Sequence, residues 1–467
     1  MEEAVLEEIR TMKPRSKKIG YLLAGTALAA ACVVLVAYGG EPPAWLLTSG
    51  KGAAPEAAEK QAPVRREILD FHMTDLDKGR IRYTDGTSSV TEDGGAHWTA
   101  PTPGLPDAAA SDTNGPSASL TDGKKLTAIA YQTKDYPVKQ SQFVTDRVGW
   151  ALVSAGTELA NPLLVTTDGG QTWHAEVTPA VKDALQEEKQ RQQRISRETA
   201  LYASPEQAKK AMDTAWTLLP DTASPGDVVL VRHDQPGEVA WQGKTYELRP
   251  FEAGYFTYLP VPMKTKPGSY PIGDQTLKIK DKKFETQHLK VSKQMESMRQ
   301  DTKRIEADQK KIDAARSKSE PMFLFSDPFI QPIEGILTTP YGHTRYVNGK
   351  FASSHTAIDL AAKEGTPIKA ANDGIVALAD NFYLTGNTIY IDHGMNLFSQ
   401  YAHLSKLQVK TGDRVKRGDI IGLVGSTGFS TGPHLHFTFW AHNVPVNPNL
   451  FFNATPFQWL KQEPQSR

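Results

Sequence analysis

At 467 residues the chain is too long for one ordinary domain, and roughly two to four units are expected. Lys+Arg and Asp+Glu stand at 53 each, which excludes the marked basic excess that nucleic-acid-binding proteins show, so no nucleic acid is expected as a partner. Cys32 is the one cysteine, so an intrachain disulfide is excluded and stability outside the cytosol must come from cores and metal.

Residues 1–20 read as a cytoplasmic basic tail, because Arg10, Lys13, Arg15, Lys17 and Lys18 follow Ile9 without an acid before Gly20. Tyr21 to Tyr38 is an uncharged apolar run of about the length that spans a bilayer. The positive flank keeps the N-terminus inside, so 21–38 is expected as a single transmembrane anchor with everything after Gly39 exported from the plasma membrane. Ala29-Ala30-Ala31 has the small residues of a signal-peptide cleavage site, but the apolar run continues through Val33-Val34-Leu35-Val36, which favours retention. Lipid attachment at Cys32 is disfavoured because no polar segment follows it. Residues 39–65, rich in Ala, Gly, Pro and charge, read as a flexible linker.

From 66 to 179 short β-type runs contain an internal repeat, Val90-Thr-Glu-Asp93-Gly94-Gly95-Ala-His-Trp98 and Val165-Thr-Thr-Asp168-Gly169-Gly170-Gln-Thr-Trp173. Asp-Gly-Gly suits a tight turn, with glycines at positive φ, a carboxylate on turn amides and the tryptophan packed beneath. These segments resemble the Asp-box repeats of sialidase-like and photosystem-assembly-factor-like propellers. Two copies are too few to close a propeller, so a small β module is expected, a possible seat for a protein partner. Residues 180–220 read as a helical connector, with Ser204-Pro205-Glu206-Gln207 as a helix start. Residues 221–290 return to strands at Val228–Val231, Glu238–Trp241, Tyr255–Tyr258 and Ser269–Ile272, a small β domain. Residues 291–320 read as one helix packing Met295, Met298, Ile305 and Ile312.

Residues 321–455 carry strand-like runs joined by glycine turns, and an antiparallel β domain with active residues on neighbouring strands follows; 456–467 is a tail. His355-x-x-x-Asp359, His403 and His434-Leu-His436 concentrate metal-ligand chemistry in about eighty residues. Two imidazoles and a carboxylate make a three-ligand zinc site with one position left open, which a hydrolase needs and a closed structural site lacks. His434 and His436, two apart on a strand, share a face, so one can ligate while the other stands within reach of the reacting water. His403 and that second histidine are candidates for orienting the nucleophile or moving a proton.

Together Ser354-His355-Thr-Ala-Ile-Asp359, Gly365-Thr-Pro-Ile-Lys-Ala, Tyr401-Ala-His403-Leu-Ser, Gly412-Asp-Arg-Val-Lys-Arg-Gly418 and Gly425-Ser-Thr-Gly-Phe-Ser-Thr-Gly-Pro-His434-Leu-His436-Phe resemble the lysostaphin/LytM-type zinc metallopeptidases, which cut peptide bonds of bacterial peptidoglycan. The resemblance covers about 322–452 and implies His355, Asp359 and His436 as ligands of one zinc ion per chain, with His403 and His434 catalytic. The family's Phe-Gly-x-Arg is replaced by Tyr341-Gly342-His343-Thr344-Arg345, so a substrate-side role for Arg345 does not carry over, and His343, His393 and His442 are left as structural. The fold expected is mainly β with helical connectors: a C-terminal antiparallel β metallopeptidase domain, small β domains before it and one N-terminal transmembrane helix. The function expected is a membrane-anchored extracytoplasmic zinc endopeptidase acting on peptidoglycan peptides. The competing readings are a zinc peptidase acting on a partner protein and a non-catalytic wall-binding or assembly protein.

Overall fold

The structure is a computed structural model and describes residues 66–103 and 126–459. The predicted basic tail, the anchor at 21–38 and the linker to 65 lie outside the described residues, and among those described no helix is long and apolar enough to cross a membrane. What is described is mainly β with four α-helices, the sheets predominantly antiparallel.

Two four-stranded meanders, Ile68 to Pro103 and Ala128 to Thr166, form the first part. The repeated segments adopt one turn twice. Thr91 Oγ1 donates to Asp93 Oδ1 (2.9 Å) and Thr166 Oγ1 to Asp168 Oδ1 (2.8 Å), while the Gly95 and Gly170 amides donate to those threonines at 3.0 and 2.9 Å. The amides of His97 and Thr172 close the turn onto the carboxylates at 2.9 Å each. Each aspartate is thus engaged by its own turn, with φ of 71° and 92° at Gly94 and Gly95 and 75° and 90° at Gly169 and Gly170.

Helix Pro179–Thr199, capped by Thr178, lays Val181 and Leu185 into the core of the meanders. Ser204 caps helix Pro205–Met212 through the Gln207 amide, as its sequence predicts. Beyond it strands 216–279 form a small β unit whose four-stranded sheet is buried on both faces. Val229, Val231 and Leu259 fill its own core, whereas Val228, Leu230, Phe256 and Tyr258 pack on Phe323, Tyr341 and Phe457 of the C-terminal part. Burial on both sides explains why Val228-Val-Leu-Val231 is a continuous apolar run instead of an alternation.

The single helix expected over 291–320 is two, Lys293–Met298 and Thr302–Arg316, because Asp301 interrupts the first and caps the second through the Arg304 amide. Of the four apolar positions predicted to pack, only Ile312 is buried. The C-terminal domain is built on one large antiparallel sheet ordered 336–339, 358–361, 434–441, 397–404, 386–392, 374–382 and 414–415. A smaller sheet pairs Thr286–Leu289, assigned by sequence to the preceding β unit, in parallel with Thr344–Val347 of this domain.

Candidate metal and catalytic centre

Strand register brings the predicted residues together. Asp359 pairs with His436, Ala361 with His434, and His436 with Ala402 of the next strand, so three adjacent strands supply the site. His434 and His436 both line the cleft above the sheet, as their spacing requires. His355 enters from just before its strand, and its Nδ1 donates to the Pro340 carbonyl at 3.2 Å. That carbonyl can only accept, so the imidazole proton sits on Nδ1 and the Nε2 lone pair is free.

His355 Nε2 lies 3.1 Å from Asp359 Oδ1 and 3.3 Å from His436 Nδ1, and His436 Nδ1 lies 2.9 Å from the same carboxylate oxygen. Ligand atoms about 2.0–2.1 Å from a tetrahedral zinc are roughly 3.3 Å from one another, so these three nitrogen and oxygen atoms fit one zinc. Charge agrees with geometry. Burial pushes His355 down to about 4, so it is neutral and able to ligate at physiological pH. Burial opposes ionisation of Asp359, but hydrogen bonds to His355 and His436 overcome it and hold its carboxyl far below the usual carboxylate range.

His403 and His434 stand beside this trio, their ring centroids 4.9 Å apart and that of His403 5.6 Å from His436. His403 takes φ of 66°, left-handed backbone uncommon for a residue with a side chain. Its Nδ1 donates to the Thr427 carbonyl (2.8 Å) in the glycine-rich loop, and His434 Nδ1 donates to the Gly432 carbonyl (2.8 Å) of the same loop. These carbonyls hold the two Nδ1 protons, and Nε2 of His434 lies 3.8 Å from Asp359 Oδ1. Burial first, and then the charges of His436 and His434, push His403 down to about 3.

Two residues at the centre escaped sequence reasoning. Arg345 Nη2 donates to Asp359 Oδ2 at 2.8 Å, leaving Oδ1 to the histidines, while its Nε donates to Gln287 Oε1 at 2.8 Å. Gln287 Nε2 in turn donates to Thr339 Oγ1 at 3.0 Å. Arg345 thus serves the carboxylate from behind. The only local signal was a polar residue heading the alternation Gln287, Leu289, Val291, all of which line a cleft of about 470 Å³ over the site. His393 is buried elsewhere, His442 is half-buried and His343 lies 3.6 Å from Glu285, all away from the cleft lining.

Residues 353–448 match the model of Peptidase family M23. Over 95 residues the chain is 44 % identical to Peptidoglycan DD-endopeptidase ShyC of Vibrio cholerae, covering 20 % of this chain and 22 % of that protein. Over 123 residues it is 46 % identical to Glycyl-glycine endopeptidase ALE-1 of Staphylococcus capitis, covering 25 % of this chain and 34 % of the relative. A solved zinc containing peptidase from Vibrio cholerae is similar at 34 % identity and a TM-score of 0.25, over 26 % of this chain and 39 % of that one. The matched part spans about a quarter of the length of the curated relatives, between 22 % and 26 % of the first three.

Proposed function

We propose, from the premise that residues 353–448 are a peptidase family M23 domain, that this chain is a zinc metalloendopeptidase hydrolysing peptide bonds of peptidoglycan, one zinc per chain. The observation that carries the reading is the meeting of His355 Nε2, Asp359 Oδ1 and His436 Nδ1 within 3.3 Å, beside His403 and His434 in an open cleft. The names of ShyC and ALE-1, a peptidoglycan DD-endopeptidase and a glycyl-glycine endopeptidase, support wall peptides as the substrate class. The basic segment 10–18 followed by the apolar run 21–38 supports a plasma-membrane anchor with the catalytic domain outside.

His355, Asp359 and His436 would hold the zinc, which when bound supplies Lewis-acid activation of water and of the scissile carbonyl. Arg345 keeps Asp359 turned so that one oxygen faces the histidines. His434, its ring fixed through Nδ1 by the Gly432 carbonyl, accepts the proton of the attacking water and returns it to the leaving amine. His403, fixed by Thr427 and kept neutral by burial, orients the reactants beside it.

The full chain, loaded with zinc and offered purified peptidoglycan, is expected to release new amino termini. His436→Ala should lose both zinc and activity. His434→Ala should keep zinc and lose about a hundredfold or more of the rate, as removal of a proton-transfer group does. Full activity in either variant would sink the assignment.

A further inference from the structure

The cleft wall contributed by the segment ahead of the peptidase domain carries a cation, Arg299, that no carboxylate among the described residues offsets. Asn348, at φ 49°, ties that segment down: its Oδ1 accepts from the Val291 amide (3.0 Å), and its Nδ2 donates to Val291 O (3.2 Å) and Glu296 Oε2 (2.9 Å). The tie fixes helix Lys293–Met298, and the residue that ends it, Arg299, is half-buried on the cleft wall. Its neighbouring acids are committed elsewhere. Glu296 holds Asn348, and Asp301 caps the next helix and faces Arg304 Nε at 3.4 Å.

Among the described residues, three ionised side chains other than histidines line the cleft: Arg299, Arg345 and Asp359. Arg345 and Asp359 offset each other at 2.8 Å, so Arg299 leaves the lining with one net positive charge, to which a bound divalent metal would add two. A guanidinium in a recessed wall, with its fork of donors unspent, matches an ionised carboxylate in shape and charge.

We propose that Arg299 recognises an ionised carboxylate of the peptide substrate, so that the cleft selects peptides with a free carboxylate near the scissile bond over their amidated counterparts. The proposal rests on the peptidase reading and names the substrate chemistry of the same site. Arg299 acts on selection alone, and the bond-breaking groups remain those around Asp359.

The test uses the full chain and a pair of cross-linked wall peptides identical except that the carboxyl groups are free in one and carboxamides in the other. With zinc, wild type should favour the acid peptide through KM. Arg299→Gln should raise KM for the acid peptide by about tenfold to a hundredfold, leave its kcat within about twofold and leave the amide peptide unaffected, while Arg299→Lys recovers part of the loss. Equilibrium binding to metal-free protein, by calorimetry, should show the same preference and its loss. Equal binding of both peptides by wild type, or a preference that survives in Arg299→Gln, overturns the proposal. If neither peptide is hydrolysed but the acid form binds through Arg299, carboxylate recognition stands and the peptidase reading falls.

Discussion

His393 sits at the back of the catalytic sheet with no solvent exposure, its Nδ1 2.7 Å from the Asp373 carbonyl and its Nε2 2.8 Å from Ser399 Oγ. Ser399 Oγ is 3.0 Å from Tyr401 Oη, which accepts the Ala371 amide at 2.8 Å. Burial pushes His393 down to about 4, against about 6.5 in an unfolded chain. Because the folded value is the lower one, the unfolded chain binds more protons below neutrality. The associated stability is intact above pH 6.5 and drains away as pH falls towards 4. From pH 7 to pH 5 this amounts to about 2 kcal/mol, and to about 3 kcal/mol once both states are protonated. Urea midpoints followed by tryptophan fluorescence at the two pH values should show wild type losing about 2 kcal/mol more than His393→Gln, which has no titrating ring. Parallel losses in the two proteins would refute the assignment of this sensitivity to His393.

Arg345→Lys keeps a charge behind Asp359 but loses the fork that also holds Gln287; zinc affinity, read by competition with a chromophoric chelator, should fall about tenfold. Unchanged affinity would mean that Asp359 is oriented without Arg345. Arg316 lies under Trp440, 3.5 Å from the ring centroid, with Nε and Nη1 buried and unbonded. Replacing it by an apolar chain of similar reach removes those orphans along with the charge, so Arg316→Met should cost about 1 kcal/mol and Arg316→Ala about 2–3 kcal/mol in chemical denaturation. Equal costs would show that its packed stem contributes nothing. At Gly428, φ is 75° and a Cβ would fall 2.5 Å from the Gly386 amide nitrogen and the Leu384 carbonyl. Gly428→Ala should shift the loop that holds His403 and His434 and cut kcat by about tenfold to a hundredfold, with zinc affinity retained because the ligands lie on other segments.

The clustering of the candidate residues was legible because their chemistry is carried by residue type and their geometry by local spacing: His434 and His436 are neighbours on one face of a strand before any tertiary contact is known. The strand-like runs expected over 321–455 could be read for the same reason, and strand Leu397–Leu404 is one of them. Arg345 and Gln287 were not legible as a pair. Their contact depends on Thr286–Leu289 leaving the unit before it to lie parallel with Thr344–Val347, a pairing across 58 residues that no local periodicity reports. The break at Asp301 was missed because a charge-rich helix of sparse apolar residues offers little to separate one long element from two short ones. Two successive caps, Ser292 and Asp301, were the available sign.

The central claim is that these five side chains hydrolyse wall peptides with zinc. It is tested most directly by mass analysis of defined cross-linked peptidoglycan incubated with the full chain, metal-free and then with one equivalent of zinc. Products heavier by one water at a single type of peptide bond, appearing with zinc and absent in both metal-free protein and His434→Ala, are the predicted result. Uncut peptidoglycan with zinc stoichiometrically bound would contradict the account.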